Sequence, residues 1–170
     1  FCSASAVKRS ENKYNGNYAA LIRTIGHGVA NTNVGSFLGM NGSITGTHTI
    51  GILSYSGDFQ VRPTKVKFYY RYIPEGDDVG VIELKIENED QDQDVILYEA
   101  TNVVSKTEYQ LYEIPINYMV ENVVATKLTL TLKSGSKHTN VVKAKVRGNG
   151  ADEHYGSELY IDDISLVYDK

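Results

Sequence analysis

Asp162 and Asp163 stand side by side in GSELYIDDISLVYD, residues 156–169, a segment that otherwise reads as a strand. Leu159, Ile161, Ile164, Leu166 and Tyr168 supply its apolar positions. Strict alternation would turn one of the two carboxylates toward the interior, where an unpaired charge is costly. Three devices relieve that cost: a β-bulge that turns both side chains outward, a Lys or Arg partner, or a bound cation. In the bulge alternative, Asp162 caps loop amides and Asp163 pairs with Arg or Lys. In the cation alternative the ion is Ca2+, which gathers about six to eight oxygens, largely from carboxylates and backbone carbonyls.

A second kind of chemistry is carried by tyrosine. In Lys65–Tyr72, Val66, Phe68, Tyr70 and Tyr72 share one face, and Lys65, Lys67, Tyr69 and Arg71 share the other. Tyr69 and Arg71 therefore stand on the polar face of a strand whose other face is already filled. A flat aromatic ring beside a hydrogen-bonding cation is what a C–H-rich, hydroxyl-bearing ligand needs. Tyr98, Tyr112, Tyr155 and Tyr160 are further candidates, with Glu83 and Asn102 as polar partners. The competing account is that tyrosine commonly covers a sheet, its body buried and its hydroxyl wet.

Other constellations carry less. In ENEDQDQD, residues 87–94, Asp90, Asp92 and Asp94 have the spacing that opens an EF-hand loop, but Val95 stands where that loop needs Gly and Thr101 where it needs Glu. The string reads as a solvated acidic hairpin connection. His27, His48, His138 and His154 show no zinc-ligand spacing. Ser54, Ser56 and Gly57 form no nucleophile elbow, and Gly148–Gly150 precedes no helix that could hold a phosphate. Glycosidase chemistry requires two carboxylates about 5–5.5 Å or about 6.5–9.5 Å apart across a cleft. Glu83, Glu99 and Glu113 are available for it, yet nothing in the sequence pairs them. Cys2 is the single cysteine, so no intrachain disulfide or cysteine metal cluster can form.

The elements that must position these residues are strands. Period-2 patterns mark Tyr18–Ile25, Lys65–Tyr72, Val81–Glu87, Asp94–Ala100, Gln110–Tyr118, Lys127–Lys133, Val141–Val146 and Leu159–Tyr168. Thr24–Gly57 and Gly148–Gly156 read as loops and short strands, and Asn117–Asn122 as one helical turn. Pro63 fits just before a strand, and Pro115 predicts an edge strand or a bulge. Short strands with one polar and one apolar face predict a single antiparallel jelly-roll β-sandwich over residues 1–170.

Composition agrees. The 170 residues include 13 Tyr and 15 Gly but no Trp. A net charge of −4 leaves no basic stripe, so neither nucleic acid nor an anionic membrane surface is an expected partner. No apolar run reaches the roughly 20 residues of a membrane span. The chain opens at Phe1 without a basic, apolar leader, which predicts a mature fragment or excised domain.

RPTKVKFYYRYIPEGD, residues 62–77, followed at a distance by GSELYIDDISLVYD, resembles the carbohydrate metabolism domain family of exported and cell-surface proteins of Bacteroides-type gut anaerobes. The family carries a similar Arg-Pro-x-Lys strand running into Tyr-Tyr-x-Tyr, and a closing Gly-Ser-x-Leu-Tyr-x-Asp-Asp strand. The Gly16–Leu21 stretch is similar to the first strand of many jelly-roll carbohydrate-binding modules. Residues 87–94 and 141–152 depart from the pattern. Such modules often hold a structural Ca2+ where the last strand meets the N-terminal segment, which implicates Glu11, Asn12 and Asn15 beside Asp162 and Asp163. The resemblance implies a non-catalytic, carbohydrate-binding or carbohydrate-associated module, extracellular or at the cell surface, in the C-terminal part of a larger polypeptide. It carries over no catalytic residue. The expected glycan ligands are Tyr69, Arg71, Tyr98 and Glu83. The rival expectations are a glycoside hydrolase, with facing carboxylates in a cleft, and an adhesive spacer with a featureless polar exterior.

Overall fold

Alternation is cleanest in the segment that becomes β5, Lys65–Ile73, whose residues are buried and half-buried in strict turn. Its aromatic and β-branched residues favour an extended chain, and its inward set can only be satisfied by a second layer. The computed structural model describes residues 5–31, 43–58, 60–89, 94–136, 143–147 and 151–168, and supplies that layer. Among the described residues every element is a strand, and none forms a helix.

The strands are β1 (Val7–Ser10), β2 (Ala19–Asn31), β3 (Ser43–Thr49), β4 (Ile52–Asp58), β5 (Lys65–Ile73), β6 (Gly80–Asn88), β7 (Val95–Val104), β8 (Gln110–Pro115), β9 (Lys127–Lys133), β10 (Lys143–Arg147) and β11 (Ala151–Val167). The larger sheet runs β1-β2-β11-β5-β8, with β3 added to β2 and β10 to β11. The smaller runs β4-β9-β6-β7. Every pairing is antiparallel. The fold is a β-sandwich, as the patterning requires.

Between the sheets, Ile22, Val66, Phe68, Tyr72 and Leu159 of the larger sheet meet Ile82, Leu84, Ile86, Leu97 and Leu132 of the smaller, all essentially inaccessible to water. Each such side chain stabilises the fold by roughly 1.5–3 kcal/mol before ordering costs. Tyr72 also donates its hydroxyl to the Ser134 carbonyl at 3.0 Å, and burial pushes its phenol far up in pKa.

Several expectations change in detail. Pro115 does close an edge strand, β8, where its missing N–H breaks no ladder. Residues 117–122 form bends rather than a helical turn, and Tyr118 is tied to the Pro63 carbonyl instead. Within Thr24–Gly57, read as loops and short strands, β2 runs on to Asn31, and β3 and β4 are strands of seven residues each. The acidic string joins the antiparallel neighbours β6 and β7, as a hairpin connection should. Its residues 90–93 lie outside the described residues, as do Cys2, His138 and Gly148–Gly150.

Candidate glycan groove

The acidic pair deforms β11. Opposite β5, Asp162 pairs with Tyr69, but the next pair is Ser165 with Lys67, so one extra residue enters the strand. Asp163 absorbs the distortion in the left-handed region, at φ +49°, which Asp tolerates better than most residues. Asp162 is 8% exposed, and its carboxylate is surrounded by donors. Its Oδ2 accepts the N–H groups of Tyr14 at 2.8 Å and Asn15 at 2.9 Å, and its Oδ1 accepts the N–H of Asp163 at 2.9 Å. Asp163 Oδ2 accepts the Asn15 side-chain amide at 3.3 Å rather than a Lys or Arg.

Backbone N–H dipoles thus take the part expected of a cation at Asp162, and a calcium ion on that carboxylate would have to displace them. Among the described residues, no group of three His, Cys, Asp or Glu gathers as metal ligands. Glu11 is exposed and lines the groove described below. The three expected metal ligands thus do not gather into one cluster among the described residues.

Anchoring the β1–β2 loop on Asp162 has a second effect. It lays the Tyr14 ring on Tyr69, centroids 3.5 Å apart and planes 10° from parallel. Tyr109 leans on Tyr14 and donates its hydroxyl to the Asn12 carbonyl at 2.9 Å. One face of Tyr69 is thereby covered, and beside it Tyr14, 49% exposed, presents its ring to solvent. Burial, with a contribution from the Asp162 charge, pushes the Tyr109 phenol up to about 12.

Beside this loop, on the face of the larger sheet away from the core, lies a groove of about 560 Å³ formed by β1, β2 and β11. Leu159 and Ile161 point into the core, so Glu158 and Tyr160 point into the groove, next to Arg23 and Leu21 of β2. Lys8, Arg9, Ser10, Glu11, Asn12 and Tyr18 form one wall, and Tyr155 stands toward the other end. Three guanidinium groups on this face lie over tyrosine rings: Arg9 over Tyr18 at 4.0 Å, Arg23 over Tyr155 at 5.1 Å and Arg71 over Tyr160 at 5.8 Å. Arg23 Nε donates to the Ser5 carbonyl at 3.0 Å, and Arg71 Nε to the Thr107 carbonyl at 2.9 Å. Burial, then the nearby Glu158 charge, pushes the Tyr160 phenol up to about 12. Such a surface offers apolar ring faces together with oriented donors and acceptors, which suits a polyhydroxylated chain.

The structure brings Tyr69 and Arg71 to this face with Asp162 and Tyr160, but it separates the other expected ligands. Tyr98 is packed between the sheets and donates to the Pro115 carbonyl at 3.0 Å, so no sugar can lie on it. The β-bulge between Ile86 and Glu87 in the β6–β7 ladder turns it inward. Glu83 stands on the outer face of the smaller sheet, paired with Lys133. Tyr112 packs against Phe68 and Tyr70. The residues missed are Arg9, Tyr14, Tyr18, Arg23 and Glu158. Arg9, Tyr14 and Tyr18 fall in a four-residue strand and the loop after it, too short for a period to show, and Arg23 and Glu158 are single charged residues within longer strands.

No family model and no curated protein matches the chain. The comparison of folds does find a likeness. The chain shares its β-sandwich fold with a solved carbohydrate-binding module. A structure described as "Family 16 Carbohydrate Binding Module-2" superposes with a TM-score of 0.51 at 9% identity, covering 95% of this chain and 85% of that one. The structure of TmCBM61 in complex with β-1,4-galactotriose gives 0.48 at 15% identity, with 96% and 83% covered. A family 11 module from Clostridium thermocellum, in complex with a β-1,3-1,4-mixed-linked tetrasaccharide, gives 0.44 at 10% identity, with 95% and 81% covered. At these identities the likeness is one of fold.

Proposed function

We propose that this chain is a non-catalytic carbohydrate-binding module whose ligand lies in the groove over β1, β2 and β11. The observation that carries the reading is the groove itself: a concave surface where tyrosine rings alternate with Arg, Glu, Asn and Ser. Sugars bind to such surfaces by stacking their C–H faces on rings while hydroxyls meet fixed polar groups. The shared sandwich fold supports the same reading. From Ala19 to Ile25, β2 extends over about 20 Å at about 3.3 Å per residue, so the face has room for several sugar rings in line. In this reading the module belongs to an exported, cell-surface protein of the kind its sequence resembles, and works beside other domains of that polypeptide. No helix among the described residues is long and apolar enough to cross a membrane.

A glycan array followed by calorimetry tests the proposal. Tyr18 is 46% exposed and can be truncated without disturbing the core. Tyr18→Ala is expected to weaken the best glycan about tenfold, the loss of one ring contact. Tyr55→Ala, at a more exposed position on the smaller sheet, is expected to change nothing. Array silence, or equal effects of both variants, would remove the groove from the account. Release of new reducing ends from a bound oligosaccharide would instead favour a hydrolase.

A further inference from the structure

Arg9 differs from the other cations of the groove. It is exposed, its guanidinium is held 4.0 Å over the Tyr18 ring, and among the described residues no carboxylate pairs with it. Arg23 is buried and faces Glu158 across the β2–β11 ladder, so these opposite charges stand together. The groove as a whole carries Lys8, Arg9 and Arg23 against Glu11 and Glu158. A positive excess at this wall is notable on a chain whose net charge is −4.

Stacking on Tyr18 fixes the plane of the Arg9 fork, so little side-chain freedom remains to be lost when it binds. A planar guanidinium matches a carboxylate through two parallel N–H···O bonds, a geometry that a hydroxyl meets only in part. Glu11 is the like charge an anionic ligand would meet. It is exposed and screened by water, whereas Arg9 acts at contact distance.

We infer that the groove selects acidic glycans, and that Arg9, pre-oriented by Tyr18, binds the carboxylate of a uronic acid residue. This rests on the groove reading above and names its ligand class. The test is calorimetry with uronate trisaccharides (galacturonate, glucuronate and mannuronate), each paired with its carboxyl-reduced form, which keeps every linkage and hydroxyl. At least one acidic member is expected to bind about tenfold more tightly than its reduced partner. That preference should shrink as salt is raised. Arg9→Gln should abolish the preference, weakening the acidic member about tenfold more than the reduced one, and Arg9→Lys should restore only part of it. Arg9 is exposed, so an unchanged melting temperature verifies that the variants fold. Equal binding of both members of every pair, or a preference that survives Arg9→Gln, overturns the inference while leaving the groove reading intact. Failure of every acidic and neutral glycan overturns both.

Discussion

Asp162 is the residue on which most of the site hangs. Buried and charged, it would destabilise β11 if it were not met by three backbone N–H groups. Asp162→Ala should strand those donors and cost about 2–4 kcal/mol in urea unfolding, whereas Asp162→Asn, which keeps one acceptor, should cost about half. Both should also weaken glycan binding, because the loop carrying Tyr14 and Tyr18 loses its anchor. Calcium is tested separately. With Asp162 already surrounded by N–H groups, the melting temperature is expected to ignore both added calcium and chelator. A rise with calcium that chelator abolishes would bring the ion back, by mass action on the folded state. The tyrosines set the alkaline limit. Burial pushes the phenols of Tyr109, Tyr118 and Tyr160 up to about 12, from an ordinary value of 10.0. Their contribution to stability is whole below pH 10 and is lost as pH rises toward 12, because the unfolded chain ionises first. Tyrosinate absorbance and circular dichroism followed together should show late ionisation coinciding with unfolding.

At the scale of elements, β11 is the organising strand. It pairs with β2, β5 and β10, presents Leu159 and Ile161 to the core, and turns Glu158 and Tyr160 toward the groove. Earlier on the same strand, Ser157 donates to Asp78 Oδ2 at 2.9 Å. Asp78 in turn accepts the N–H groups of Val79 at 2.9 Å and Ser136 at 2.8 Å, so the segment after β9 is held against the β5–β6 turn. Gly135 makes that approach possible, since a Cβ there would stand 2.2 Å from Asp78 Oδ2. Gly135→Ala should therefore cost about 1–3 kcal/mol through overpacking, read as a lower denaturant midpoint with an unchanged slope. Glycan affinity should not move, because the groove lies on other elements. The extra residue at Asp163 works at this scale too. It redirects the end of β11 and turns Asp163, which strict alternation would point inward, out to solvent, at the cost of one left-handed residue.

Over the whole molecule, the proposed groove and the packed interior occupy different places. The interior is aliphatic and aromatic, and Leu84→Ala, at a fully buried position, should cost about 2–5 kcal/mol through lost transfer energy and a cavity. The outer face of the smaller sheet is a lattice of paired groups, with Ser54 on Thr131 and Ser56 on Thr129 at 3.1 Å, and Glu83 on Lys133. Those groups satisfy one another, and the proposed ligand groove lies on the outer face of the other sheet. Saturation with that ligand, at a hundred times its Kd, should raise stability by about 2.7 kcal/mol and the melting temperature with it.

The sequence by itself determined the layers. Alternation in Lys65–Ile73, Gly80–Asn88 and Lys127–Lys133 leaves each strand one dry face, and two sheets are the arrangement that buries them all. It also determined that the acidic pair needs relief in β11, by a bulge, a cationic side chain or a bound ion, because burying an unsatisfied carboxylate is costly. Only the tertiary structure decided what meets that carboxylate and which residues share the groove. Tyr14 reaches Asp162 across 148 positions of chain. Tyr98 and Glu83, both polar by composition, were sent to the core and to the far sheet by register. Periodicity reports which way a side chain points from its own strand, but a site is made by strands that pairing brings side by side, and pairing is fixed by the packing of the whole.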